Sequence, residues 1–280
     1  MRLKKLLVAI ILLVLVAPIL QAQNTEQELV DKFFERTKVK HTYKTAWLSV
    51  HFSMNRINRN NEYNSFATNT SEQLSNASLN WLNLAPAFGL DFGLLFKEKF
   101  AWSLGGEYWL KLSDELSGNI DYLATGSTIE NPSSEIQVYG LYTGLQYYFF
   151  NHPRKIEHVQ SLALRAGSSI GYYVANWDLW PDYQNLNLAT GSPTTAENTT
   201  FKGSAPGLKV TLGADYPVNI FGLVLGADLS YLYLNFKNVA WYNSSDEEVV
   251  VSYTGTPEGR VDLNLSGFTG KIELKRFFSW

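Results

Sequence analysis

The chain has 280 residues, a formal net charge of −3 and no cysteine. Without cysteine there can be no disulfide, thiolate nucleophile, cysteine-ligated metal or lipid-modified N-terminal cysteine. The mild acidity argues against a nucleic-acid partner, which needs a basic face.

Arg2, Lys4 and Lys5 precede an apolar run from Leu6 to Leu20 that Pro18 breaks, and Ala22 supplies the small residue a signal peptidase needs. That order predicts a secretory signal peptide over residues 1–22. The run is short of the roughly 20 apolar residues that a membrane-spanning helix requires. Residues 23–42 form a separate N-terminal segment. Glu26 to Arg36 groups Leu29, Val30, Phe33 and Phe34 on one side of a short helix, which either plugs the mouth of the domain that follows or docks a periplasmic protein; a disordered leader is the alternative reading.

From residue 43 to 280, apolar and polar residues alternate in eight runs. Strands point successive side chains to opposite faces, so each run presents one apolar face. The first strand, Tyr43 to Met54, sets Ala46, Leu48, Val50 and Phe52 against Trp47, Ser49, His51 and Ser53. The second, Leu79 to Leu94, sets Phe88, Leu90 and Phe92 against Gly89, Asp91 and Gly93, and Pro86 predicts a bulge or break there. The third, Phe100 to Ser113, sets Trp102, Leu104 and Tyr108 against Ser103, Glu107 and Lys111. The fourth, Ile136 to Phe149, has the weakest pattern, with Tyr139, Leu141 and Leu145 opposite Gly140 and Gly144.

The fifth strand, Ser161 to Val174, places Arg165 opposite Leu164 and Ala166. The sixth, Gly207 to Pro217, places Lys209 and Asp215 opposite Leu208, Val210 and Leu212. The seventh, Gly222 to Asn235, places Asp228 opposite Leu225 and Leu229. In the eighth, Val261 to Trp280, the apolar parity changes from Leu263 and Leu265 to Phe268, Ile272 and Leu274. A one-residue slip at Ser266-Gly267 is the expected cause.

Links after the second, fourth and sixth runs are short. Those after the first, third, fifth and seventh are long and rich in Asn, Ser, Thr and Gly. Repeated alternation with alternating short and long links predicts an all-β, closed antiparallel up-and-down transmembrane β-barrel of eight strands, with short periplasmic turns and long outer loops. The apolar parity carries one charge, Arg276. The other carries Asp91, Glu107, Asp215, Asp228 and Glu273 with Lys111, Arg165, Lys209, Lys271 and Lys275. Charges sorted to one face and balanced in sign predict an enclosed ionic interior and an outer face in hydrocarbon. Phe92, Phe100, Trp102, Tyr147, Tyr216, Phe278 and Trp280 gather at one edge of the apolar band. Tyr108, Tyr172, Tyr231 and Tyr233 approach the other.

This pattern resembles the small eight-stranded outer-membrane barrels of the OmpA and OmpX type. Phe277-Phe278-Ser279-Trp280 is similar to the C-terminal signal read by the barrel-insertion machinery, with Phe278 and Trp280 as its aromatics; that family usually ends in Phe. The resemblance covers residues 43–280. It implies a Gram-negative cell outer membrane with both termini periplasmic, and contact with outer-membrane lipids including lipopolysaccharide.

No catalytic, cofactor or metal set stands out. His51-x-Ser53 resembles the pair of outer-membrane lipid A deacylases, but its parity points inward, where an interior hydrogen-bonding role is expected. His41, His152 and His158 lack metal-ligand spacing. The loop Asn176 to Lys202 carries Trp177, Trp180 and Tyr183, a candidate binding surface or a cap on the barrel rim. Three functions are open: a non-enzymatic structural, surface-binding or assembly barrel with a periplasmic or outer-membrane protein partner; a narrow, porin-like channel; and a lipid-modifying enzyme.

Overall fold

The computed structural model describes residues 45–58, 77–78, 83–96, 99–110, 117–118, 120–122, 127–129, 133–151, 162–180, 199–218, 223–243, 245–248 and 261–279. Expectations for residues 1–42, Lys111, Tyr183 and Trp280 lie outside these. Eight long strands build the wall: β1 (Thr45–Ile57), β2 (Leu84–Phe96), β3 (Phe100–Trp109), β4 (Ser133–Phe150), β5 (Ala163–Trp180), β6 (Thr199–Val218), β7 (Leu223–Tyr242) and β8 (Gly267–Ser279, preceded by the segment Val261–Asn264). Each pairs antiparallel with its sequence neighbours, and β1 also pairs with β8, from Thr45↔Ser279 to Ile57↔Gly267. The sheet is therefore closed. Closure satisfies every wall strand on both edges, which hydrocarbon demands because it offers no competing hydrogen bonds.

Links at one end are short, at 97–99, 151–162 and 219–222; at the other they are long, at 58–83, 110–132, 181–198 and 243–260. In the long-loop region Ala77–Ser78 pairs with Ser117–Gly118, tying the first long link to the second, and Ile120–Tyr122 pairs with Ser127–Ile129.

Pro86 does not break its strand. Its carbonyl accepts from Leu110 N at 2.8 Å, and in an antiparallel ladder a residue's N and O face the same neighbour. The missing N–H thus falls at the last rung toward β3, while the ladder with β1 runs on through Met54↔Pro86.

The strands are longer than the alternation of lipid-facing residues indicates. Strand β5 has 18 residues, about 60 Å at a rise of about 3.3 Å, or about 45 Å along a barrel axis tilted by about 40°. An apolar band is only about 25 Å tall. Roughly 20 Å of wall therefore stands clear of hydrocarbon, and there the polarity of the wall inverts. Arg56, Asp178, Lys202 and Lys237 face outward, while Ile57, Trp109, Ile136, Trp177, Phe201, Leu234 and Phe236 are buried inside.

This inversion corrects the reading of the eighth strand. Leu263 and Leu265 are buried inside, and the inward parity continues unchanged through Thr269, Lys271, Glu273 and Lys275. The strand is interrupted at residues 265–266, where the Ser266 hydroxyl accepts from Leu234 N at 2.9 Å, but no face is exchanged. The apolar parity changes because the solvent outside the wall changes from lipid to water.

Candidate functional site: the sealed ionic lumen

Eight strands leave a bore that side chains fill. Here they fill it in three layers. At the short-turn end Trp47, Leu95, Ala101, Tyr148, Ala163 and Val224 form an apolar floor, with Phe277 packed against it. At the long-loop end the apolar interior just described forms a roof. Between them lie the charges.

Arg165 of β5 is the hub. Its Nε is 3.2 Å from Asp215 and its Nη2 2.7 Å from Asp228; Nη2 also meets Glu273 and Nη1 donates to Gln146 at 3.2 Å. Lys275 bridges Asp215 and Glu273, each at 3.0 Å, and lies over the Trp47 ring. Lys271 meets Asp228 at 3.0 Å, Glu273 at 3.2 Å and Asp91 at 3.4 Å. The contacts of Asp228 are ion pairs by distance that lie off the line of a directed hydrogen bond. A second cluster stands closer to the long loops, where Lys209 donates to Glu107 at 3.1 Å and Glu107 also accepts from Trp109 and Tyr173. Asp91 stands between the clusters, accepting from the Tyr142 hydroxyl at 2.6 Å, with His51 Nδ1 at 3.1 Å.

Nine of the ten charges read from the sequence are described, and all nine lie inside; Lys111 lies outside the described residues. The neutral members were not legible as members: Tyr142, Tyr148, Tyr173 and Trp109 donate the bonds that satisfy the carboxylates. Their inward parity is the available signal, but an aromatic residue in a barrel strand reads as girdle or filler.

Glycines on the inward parity make this density possible. A Cβ at Gly93 would sit 2.0 Å from the Trp47 ring, and one at Gly213 would sit 2.1 Å from Asp228 Oδ1. Among the described residues a cavity of about 40 Å³ lies beside Ser53, Asp91, Tyr142, Arg165, Lys209 and Lys271. It has room for about three or four waters, at about 10–15 Å³ each.

Outside the middle layer the wall is apolar. Leu141 is 70%, Leu212 60%, Leu229 59% and Ile272 61% exposed. A soluble barrel would bury these and expose Arg165 and Lys275, which are 2% and 0% exposed. This is an eight-stranded outer-membrane β-barrel.

No family model matches the chain, and no curated protein matches it. Solved structures do. A major outer membrane protein of Thermus thermophilus is 14% identical over 84% of this chain and 99% of its own, with a TM-score of 0.43. Neisserial surface protein A is 10% identical over 85% and 97%, with a TM-score of 0.39. Ail of Yersinia pestis, solved with the heparin analogue sucrose octasulfate, is 10% identical over 84% and 99%, with a TM-score of 0.36. The barrel assignment rests on the closed, inverted wall itself.

The other candidates are placed as follows. Trp177 is no loop aromatic: it lies inside β5, 2% exposed, stacked on Phe201 at 4.7 Å and donating to Ser134. Trp180 ends the same strand, half-buried. Phe278 faces outward near the short-turn end, and the Arg276 guanidinium lies 5.6 Å over its ring. His51 and Ser53 are buried in the lumen, 4% and 1% exposed.

Proposed function

We propose that this barrel is a non-conducting, non-enzymatic scaffold of the Gram-negative outer membrane, with both termini periplasmic and long loops presented outward as its binding surface. One observation carries the reading: the ionic lumen is filled with paired charges and closed by apolar layers at both ends. A path for ions needs continuous water, and the cavity between these layers has room for about three or four molecules. The wall rising about 20 Å beyond the bilayer supports the second half of the reading. Its apolar roof makes a rigid collar on which the loops stand, suited to presenting a surface to a partner.

The lipid-modifying alternative requires His51 and Ser53 to meet a bilayer substrate, whereas both point into the lumen and His51 stands against Asp91. Lipids of the membrane, lipopolysaccharide among them, then act as solvent and not as substrate. The insertion machinery would read Phe278 and the residues around it. Planar-bilayer recording on the refolded mature chain tests the reading. A flat baseline is expected, and reproducible current steps that disappear in Lys271→Ala would refute it. A lipid A profile altered by His51→Ala would establish the enzymatic alternative instead.

A further inference from the structure

Outward positions on neighbouring strands fall into rows around the barrel, and one row is incomplete. Leu90, Gly106, Leu141 and Tyr172 stand side by side on β2, β3, β4 and β5. The next row toward the long loops is Phe88, Tyr108, Tyr139 and Val174. Because Gly106 has no side chain, the wall sinks there into a groove of about 830 Å³, flanked by Val50, Phe88, Leu90, Leu141 and Tyr172. Leu141 leans over its edge, with Cδ2 only 3.2 Å from where a Cβ at position 106 would lie. Gly270, the other outward glycine described in the band, has nothing within 4 Å of its own Cβ position, so no neighbouring side chain leans over it.

We propose that this groove binds one acyl chain of a bilayer lipid from the leaflet on the long-loop side. The proposal rests on the reading of the chain as a membrane barrel. Two observations select the occupant. The groove is continuous with the apolar belt, where Val50, Leu90 and Leu141 are 53%, 58% and 70% exposed to hydrocarbon. It also carries no charge: besides neutral tyrosines its ionisable residues are His51 and Glu107, whose side chains, 0% and 1% exposed, belong to the lumen. An ionic headgroup has no partner inside the groove, whereas a methylene chain fills it. The row of Tyr108 and Tyr139, their rings 4.9 Å apart, marks the interface beyond which the headgroup lies.

The test uses the refolded mature chain in dimyristoyl phosphatidylcholine vesicles containing a phosphatidylcholine with a diazirine near the carbonyl end of one acyl chain. After photolysis, labelling at Leu90, Leu141 and Val174 is expected to exceed that at Val210, Leu212 and Leu229 by about five-fold, the ratio set by roughly 1 kcal/mol of preference. Gly106→Phe sets a ring on the floor of the groove in the path of the chain and abolishes the excess, while Gly270→Phe preserves it. Leu141→Ala opens the groove without filling it, so labelling at Leu90 and Val174 stays in excess even if Gly106→Phe fails to fold. Uniform labelling around the belt overturns the proposal. So does an excess unchanged in Gly106→Phe, or cross-linking between two copies by a photoreactive side chain placed at position 90, which would make a second copy the occupant. Failure of the membrane reading looks different, as no strand position would label from within the vesicle at all.

Discussion

Replacing Arg165 by methionine removes the centre of the ionic lumen while keeping most of its volume. Arg165 meets three carboxylates, Asp215 at 3.2 Å, Asp228 at 2.7 Å and Glu273. Two cations also serve this trio: Lys271, which meets Asp228 and Glu273, and Lys275, which meets Asp215 and Glu273. Three buried acids would then face two bases. The lost guanidinium leaves a carboxylate uncompensated in a lumen with room for only a few waters, at a cost of about 3–5 kcal/mol. That is a shift of roughly two to four decades in the unfolding equilibrium. The assay is urea unfolding of the barrel in vesicles, followed by tryptophan fluorescence and by the gel mobility of unheated samples. Adding Asp228→Asn restores the charge count, so the double variant should recover more than half of the loss. If Arg165→Met unfolds within about 1 kcal/mol of the wild type, these charges sit in a hydrated channel and the sealed-lumen argument is wrong.

Three further perturbations probe the layers separately. Leu229→Arg puts a cation on the lipid face and should cost about 2–4 kcal/mol in the same titration; a neutral result would mean that this face meets water. Trp177→Ala empties part of the roof beside Phe201 and should cost about 3–5 kcal/mol, whereas an aromatic serving only as a binding surface would leave the midpoint unchanged. Gly93→Val drives a Cβ to 2.0 Å from the Trp47 ring, so the protein should fail to show the folded gel band; the pair Gly93→Val with Trp47→Ala should restore it.

The faces of the wall were legible because they depend on a local property of the backbone. Side chains alternate whatever a strand pairs with, so Leu208, Val210 and Leu212 against Lys209 and Thr211 reveal two environments before any partner is known. The alternation of short and long links added the direction of the chain, and closure followed from the need to pair every strand in lipid. The same rule misled where its premise lapsed. It takes apolar to mean outward, which holds only in hydrocarbon, so it puts Leu263 and Leu265 on the wrong face and Trp177 in a loop.

Strand adjacency predicts the pair Asp228–Lys271, which the structure shows at 3.0 Å, but which of the other interior groups meet was decided only in three dimensions. Lys209 and Glu107 lie 102 positions apart in sequence, and Arg165 and Glu273 lie 108 apart. Their meeting depends on the stagger with which eight strands close and on glycines such as Gly213 that admit them. A periodic sequence states the face each residue takes, but height and angle inside a cylinder are properties of the closed sheet. The floor, the roof and the groove at Gly106 therefore appear only once the wall has curved back on itself.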